Sequence, residues 1–400
     1  MKTSISSFLA YCFSYSSLAL LLSSSSTEAL PWPFGGHQRV PITITSYAAL
    51  GDSYASGIDA GIQLHSPCWR FSDSYPMQLI RTGLLGRNHA FQFLACSGSV
   101  MGLVGGASSK RKAISTQIKS LKTADLVTLS IGGNDARFFD VLNACVYRFY
   151  GTKSGNCNER LQESVKIISE ERFEEAYNWV LDEIMAKSGD APHFRIMALG
   201  YSPFFDEALT EDCNNQSFGF WSLSKPKLTV QLRRQLNDIS AHLNNRIAGI
   251  IKNRADEKVI WVNWAPKFKE HLFCQPGKPA SDGDNTWFYD ADFRSSNATS
   301  KEIDIETCMQ QTSETGDWGE RAACGIAMVQ QEYPHMMARD PDTDTTLTIN
   351  RYPNQPGLAR VFHPKPHAYA VIANEIRNHW PFISLETDTL DDSKALSWGA

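Results

Sequence analysis

Ile42-Thr43-Ile44-Thr45-Ser46-Tyr47-Ala48-Ala49-Leu50 runs directly into Gly51-Asp52-Ser53-Tyr54-Ala55-Ser56-Gly57. The first nine residues are a short apolar and β-branched run with little alternation, the pattern of a strand covered on both faces. The second stretch opens a helix, so a serine hydroxyl stands at the carboxyl end of the strand. Open α/β sheets bind ligands there, and a helix N-terminus favours negative charge developing beside the hydroxyl. Four similar runs follow at 90–95, 126–131, 194–199 and 259–262. Apolar residues spaced by three and four predict helices over about 172–185, 228–250 and 368–379. Strands alternating with helices define the α/β class, a three-layer α/β/α architecture around a central parallel sheet of about five strands.

The chain has 400 residues, 42% of them hydrophobic, which is enough for a large core. A net charge of -5, with no basic run longer than Lys110-Arg111-Lys112, gives no footprint for nucleic acid. Residues 1–29 read as a secretory signal: Lys2, an apolar stretch from Phe8 to Leu22, then Thr27-Glu28-Ala29 for cleavage. The serines at 23–26 cut the stretch too short for a membrane anchor, so a secreted, extracellular protein without a stable membrane anchor is expected. Cys12 leaves with the signal, and Cys68, Cys96, Cys145, Cys157, Cys213, Cys274, Cys308 and Cys324 remain as an even set suited to disulfides. The absence of a Cys-x-x-Cys, or of a His pair beside a cysteine pair, argues against a metal site. Asn215 and Asn297 head N-x-S/T sequons and can accept glycans.

Two further blocks sit at strand carboxyl ends on the same sheet edge as Ser53: Cys96-Ser97-Gly98-Ser99, and Gly132-Gly133-Asn134-Asp135. Near the end of the chain, His363-Pro364-Lys365-Pro366-His367 supplies an imidazole just before a helix. Read alone, Gly51-Asp52-Ser53 is equally a turn and a helix cap. Together the blocks hold the parts that acyl transfer requires: a serine nucleophile, a base, and an oxyanion hole from the N–H of Gly98 and the amide of Asn134.

In order and separation, Gly51-Asp52-Ser53-Tyr54, Gly98, Gly132-Gly133-Asn134-Asp135 and His363-Pro364 resemble the SGNH (GDSL-type) hydrolases. Cys68-Trp69-Arg70, Leu199-Gly200-Tyr201-Ser202-Pro203 and the segment Phe268 to Cys274 resemble the secreted esterase/lipase branch of that family. The resemblance covers roughly residues 43–275 and 355–380. It implies a flavodoxin-like sheet and a serine esterase/lipase without cofactor. Ser53 becomes the nucleophile, the Ser53 and Gly98 N–H groups and the Asn134 side chain form the oxyanion hole, His363 is the base, and Asp52 and Asp135 are structural. Many members carry Asp three residues before the histidine, and here that residue is Arg360. The expectation is then a Ser-His dyad whose imidazole is oriented by the Arg360 main-chain carbonyl, with the Arg360 side chain in solvent. The resemblance also suggests the bridges Cys68–Cys96, Cys145–Cys157 and Cys213–Cys274, leaving Cys308–Cys324 as a local pair. His367 is the lesser candidate for the base, His271 reads as ordering a loop, and Tyr54 and Trp287 are candidates to line an acyl pocket.

Residues 281–345 break the strand-helix rhythm, with fourteen acidic against four basic side chains. They read as an acidic, disulfide-stapled surface insertion within one hydrolase domain spanning 30–385, followed by a flexible acidic tail at 386–400. Asp340, Asp342 and Asp344 have calcium-loop spacing, but Thr345 and Arg351 stand where that loop needs Gly and Glu. The expected substrate is a small-molecule or lipid ester, with an acylated polysaccharide close behind. The expected state is a monomer, and the alternative is a non-catalytic secreted glycan-binding protein that keeps the fold.

Overall fold

The computed structural model describes residues 38–290 and 360–385, apart from short stretches at 42, 66, 103–112, 149–154, 192, 220–225 and 381. The leader, Asn297, Cys308, Cys324, the aspartates at 340–344 and the tail from 386 lie outside the described residues. Of the described residues, those between 41 and 383 belong to one compact unit, and 38–40 with 384–385 to another. Short strands Gln38–Pro41 and Phe382–Leu385 pair with each other.

Five parallel strands form the central sheet: β1 (Ile44–Gly51), β2 (Leu85–Phe93), β3 (Leu126–Ser130), β4 (Arg195–Leu199) and β5 (Val259–Val262). They correspond to the five runs read from the sequence, with ends moved by a few residues. Their order is β2-β1-β3-β4-β5, the flavodoxin-like order, in which the chain reverses its direction of advance between β1 and β3. The register places Gly51 beside Ser130 at that reversal. Tyr47, Ala48, Ala49 and Leu50 have no solvent exposure, as an inner strand of an all-parallel sheet requires.

The helices are α1 (Ser53–Ser56), α2 (Tyr75–Arg81), α3 (Ile114–Ser120), α4 (Phe138–Leu142, continued by one wide turn to Tyr147), α5 (Cys157–Ser169), α6 (Glu171–Ser188), α7 (Val230–Arg254) and α8 (Pro366–Asn378). With right-handed crossovers, the β1-to-β2 connection and the three that advance the other way fall on opposite faces. Accordingly α2 packs with α8, while α6 packs with α3, α5 and α7. The three helices predicted from periodicity are α6, α7 and α8. In α7, Thr229 caps the first turn through the Leu232 N–H, and Leu236, Ile239, Leu243, Ile247 and Ile250 form the buried stripe. The short helices α2 and α3 and the polar α5 offer too few apolar repeats to be read that way.

Residues 286–289, assigned from the sequence to a solvated insertion, are instead part of the core edge. Phe288 is fully buried, and the stretch Trp287–Tyr289 hydrogen-bonds with the segment carrying His363. Acidic composition masked the three aromatic residues that do this.

Candidate active site

Gly51 ends β1 with φ +133°, a conformation glycine adopts readily and other residues rarely. Its N–H and C=O are both held by the side chain of Gln117, at 2.9 and 2.8 Å. Asp52 then caps α1, accepting the Tyr54 N–H at 3.0 Å. Ser53 is thereby presented at the first helical position, above the crevice between β1 and β3.

The Oγ of Ser53 lies 2.7 Å from Nε2 of His363, across 310 residues of sequence. The N–H groups of Ser53 and Gly98 meet no hydrogen-bond acceptor among the described residues. Gly98 has φ +80°, and its loop is pinned by the Cys68–Cys96 disulfide and by the Ser97 N–H to the Cys68 carbonyl. Asn134 donates one amide proton to the Ser99 carbonyl at 3.0 Å. All four residues line one cleft, whose remaining wall is mostly apolar: Phe138, Phe139, Leu142, Phe204, Val361 and Phe362.

Asp52 and Asp135 are buried. Asp135 accepts the Met101 N–H with both oxygens, at 2.9 and 3.1 Å. Burial pushes the Asp52 carboxyl up to about 6, against the lowering effect of its hydrogen bonds from Tyr201, Tyr54 and Ser130. Both therefore hold loops in place, as the family resemblance implies for them.

The orientation of His363 departs from expectation in two respects. The carbonyl facing Nδ1, at 3.2 Å, belongs to Val361, whereas the Arg360 carbonyl accepts the His363 backbone N–H at 2.7 Å. The cause is a sharp turn: Phe362 has φ +64°, costly for a bulky residue, which brings the Val361 carbonyl beneath the ring. The Tyr54 hydroxyl holds this turn by donating to the Phe362 carbonyl at 2.7 Å, and Tyr289 exchanges backbone bonds with Phe362 and His363. Nor does the Arg360 side chain point to solvent. It is buried, pairs with Asp59 at 2.6 Å, and lies 4.8 Å from the Tyr289 ring centre. Removing the buried guanidinium leaves the half-buried Asp59 carboxylate without this partner. Arg360→Ala is accordingly expected to lower stability by about 2 kcal/mol and to loosen the histidine turn, cutting kcat although the carbonyl remains. Urea melts and steady-state kinetics check this; wild-type values for both would remove the latch.

Of the lesser candidates, Tyr54 does line the cleft, while Trp287 does not: it stacks on His271 at 3.7 Å, and the His367 ring packs against it at a steep angle with centres 5.6 Å apart. His271 also bonds the Asn285 carbonyl, so it orders that loop. His367 is exposed on the first turn of α8, away from the cleft lining. Disulfides join Cys68–Cys96, Cys145–Cys157 and Cys213–Cys274 as the resemblance suggested. Asn215 is exposed. Gln117 went unremarked in the sequence, because a buried glutamine in a short helix carries no local motif.

No family model matches the chain. It is 30% identical over 215 residues to Lipase 1 of Streptomyces coelicolor, covering 52% of this chain and 66% of that protein. It is 32% identical over 170 residues to a lipase of Streptomyces rimosus, covering 41% and 55%. The chain thus spans between about half and two thirds of the length of these curated relatives. Among solved structures, an extracellular lipase of Streptomyces rimosus matches 62% of this chain and 89% of its own at 25% identity, with TM-score 0.47. A phospholipase A1 of Streptomyces albidoflavus matches 65% and 90% at 24% identity, with TM-score 0.45. The ordered sequence blocks on a 2-1-3-4-5 parallel sheet, together with the lipase relatives, make the chain a member of the SGNH (GDSL-type) hydrolase superfamily. Within it, the sequence is similar to the Streptomyces lipases.

Proposed function

We propose that this protein is a secreted serine esterase/lipase that hydrolyses carboxylic esters through an acyl-enzyme on Ser53. The observation that carries the reading is the Ser53 Oγ to His363 Nε2 hydrogen bond of 2.7 Å at the edge of an aromatic-lined cleft. Ser53 attacks the ester carbonyl carbon while its proton passes to Nε2. The tetrahedral oxyanion is met by the N–H groups of Ser53 and Gly98 and by the second amide proton of Asn134. His363 returns the proton to the departing alcohol. Water then attacks the acyl-enzyme with His363 as base, and the carboxylic acid leaves.

The imidazolium formed in each step is steadied by the neutral Val361 carbonyl, without a carboxylate at position 360, so the oxyanion donors carry more of the barrier lowering. Secretion is supported by the leader-like N-terminus and the three disulfides; among the described residues no helix is long and apolar enough to cross a membrane. The lipase relatives and the apolar cleft wall favour a fatty-acyl ester over an acetylated polysaccharide, and they leave the glycan-binding alternative without support.

Release of p-nitrophenol from esters of increasing acyl length tests the assignment. Burial of a methylene contributes about 0.8 kcal/mol, so kcat/KM is expected to rise about threefold to fourfold per added carbon until the cleft is filled. Fastest turnover on the acetate would move the substrate class to acetyl esters, and no turnover on any length would end the esterase reading.

A further inference from the structure

The hydroxyl of Tyr201, a residue in the loop after β4, donates to Oδ2 of Asp52 at 2.6 Å and accepts the Gly133 N–H at 3.1 Å. Asp52 caps the helix that presents Ser53, and Gly133 directly precedes Asn134. One phenol oxygen therefore joins the two loops that face each other across the cleft. Its polarity is fixed: a buried carboxylate only accepts, so the phenol proton points to Asp52 and the phenol lone pair is left for Gly133.

The phenol is itself held from behind. Asn244 on α7 accepts the Tyr201 N–H at 2.8 Å and donates to the Tyr201 carbonyl at 2.6 Å, a two-point clamp on the main chain. The Tyr201 ring packs edge-on against Tyr54 and Phe138, with ring centres 5.1 and 5.8 Å away. A side chain at Gly133 would bring a Cβ to 3.1 Å from that ring, so the glycine permits the approach. The titratable groups around Asp52 are the phenols of Tyr54, Tyr75, Tyr177, Tyr201 and Tyr369, with His363 on the far side of Ser53. Only Tyr201 bonds its carboxylate through a side chain that also reaches the Asn134 loop.

We infer that Tyr201 is a positioning residue: it sets the distance between the Ser53 hydroxyl and the Asn134 amide, so that both meet one tetrahedral centre. It touches no reacting atom and acts through Asp52 and Gly133. The inference rests on Ser53 and Asn134 having the roles proposed above.

Tyr201→Phe keeps the ring and removes the oxygen. The expected result is a kcat on p-nitrophenyl esters reduced about tenfold with KM unchanged, less than the roughly 10²-fold loss of deleting an oxyanion donor outright. A double-mutant cycle with Asn134→Ala supplies the discriminating reading, because residues acting as one unit lose activity non-additively. In the Asn134→Ala background the Tyr201→Phe change is expected to cost less than twofold. An additive tenfold loss in both backgrounds would assign Tyr201 a structural role only and overturn the inference, as would unchanged kcat in the single variant. If melting shows that Tyr201→Phe is poorly folded, Gly133→Ala, which crowds the phenol from the other side, is put through the same cycle with the same outcomes. An active Ser53→Ala enzyme would instead sink the underlying esterase reading, whatever Tyr201 does.

Discussion

Ser53→Ala is expected to lower ester hydrolysis by about 10⁵-fold or more while leaving the fold unchanged. The Oγ of Ser53 makes its described side-chain contact with His363, and the cap of α1 is supplied by Asp52. Removing one oxygen therefore takes away the nucleophile without opening the core. His363→Ala is expected to cost nearly as much, and the double variant no more than either alone, because neither group is useful without the other. His367→Ala is expected to leave turnover near wild type, since its ring packs against Trp287 outside the cleft lining. Initial rates on the best p-nitrophenyl ester, with far-ultraviolet circular dichroism as the control for folding, decide the matter. Substantial activity in Ser53→Ala would remove the acyl-enzyme scheme, and an inactive His367→Ala would reassign the base.

The largest expected effect on stability belongs to Gly51→Ala. A Cβ built at Gly51 falls 2.2 Å from the Ser130 carbonyl oxygen, which is backbone of the neighbouring strand and cannot swing away. The φ of +133° adds conformational strain for any L side chain. Both groups of the Gly51 peptide that Gln117 holds would shift with it. A loss of about 4 kcal/mol or more follows, enough to leave little folded protein. Gly83→Ala serves as the comparison: φ is +77° but no atom lies within 4 Å of the added Cβ, so only the conformational cost of about 1 kcal/mol remains. Equal urea midpoints for the two variants would show that the clash at Gly51 is relieved, and that β1 and β3 tolerate separation at their carboxyl ends.

The sheet could be read from the sequence because strands of a parallel sheet carry short apolar runs, continuous in the inner ones, and five such runs stand out at Tyr47, Phe91, Val127, Ile196 and Val262. The serine, the Gly98 and Asn134 loops and the histidine, which line one cleft, were legible for a related reason. Each lies where a strand or turn ends, and the residue types there are set by chemistry and by backbone conformation rather than by packing. What the sequence did not show depends on contacts between distant segments. Which carbonyl faces His363 follows from the unusual φ of Phe362, a residue type that gives no hint of it. The placement of the Arg360 side chain depends on Asp59, 301 residues away. Trp287 was a reasonable candidate for the acyl wall as an aromatic residue, but stacking on His271 turns it elsewhere. Tyr201 was visible as part of a block, while its bonds to Asp52 and Gly133 required knowing that β4 ends beside the reversal between β1 and β3.

The 310-residue separation of Ser53 and His363 has a consequence for the order of events during synthesis. A chain made N-terminus first presents Ser53 long before His363 exists. Until α8 docks beside α2 and the Trp287–Tyr289 stretch receives the histidine turn, Ser53 lacks its His363 partner. Contacts of such long range form late, because the intervening loop must first be closed. On the mechanism proposed above, hydrolytic competence is therefore withheld from every nascent or half-folded form of the chain, and the capacity to cut esters arrives only with completed folding.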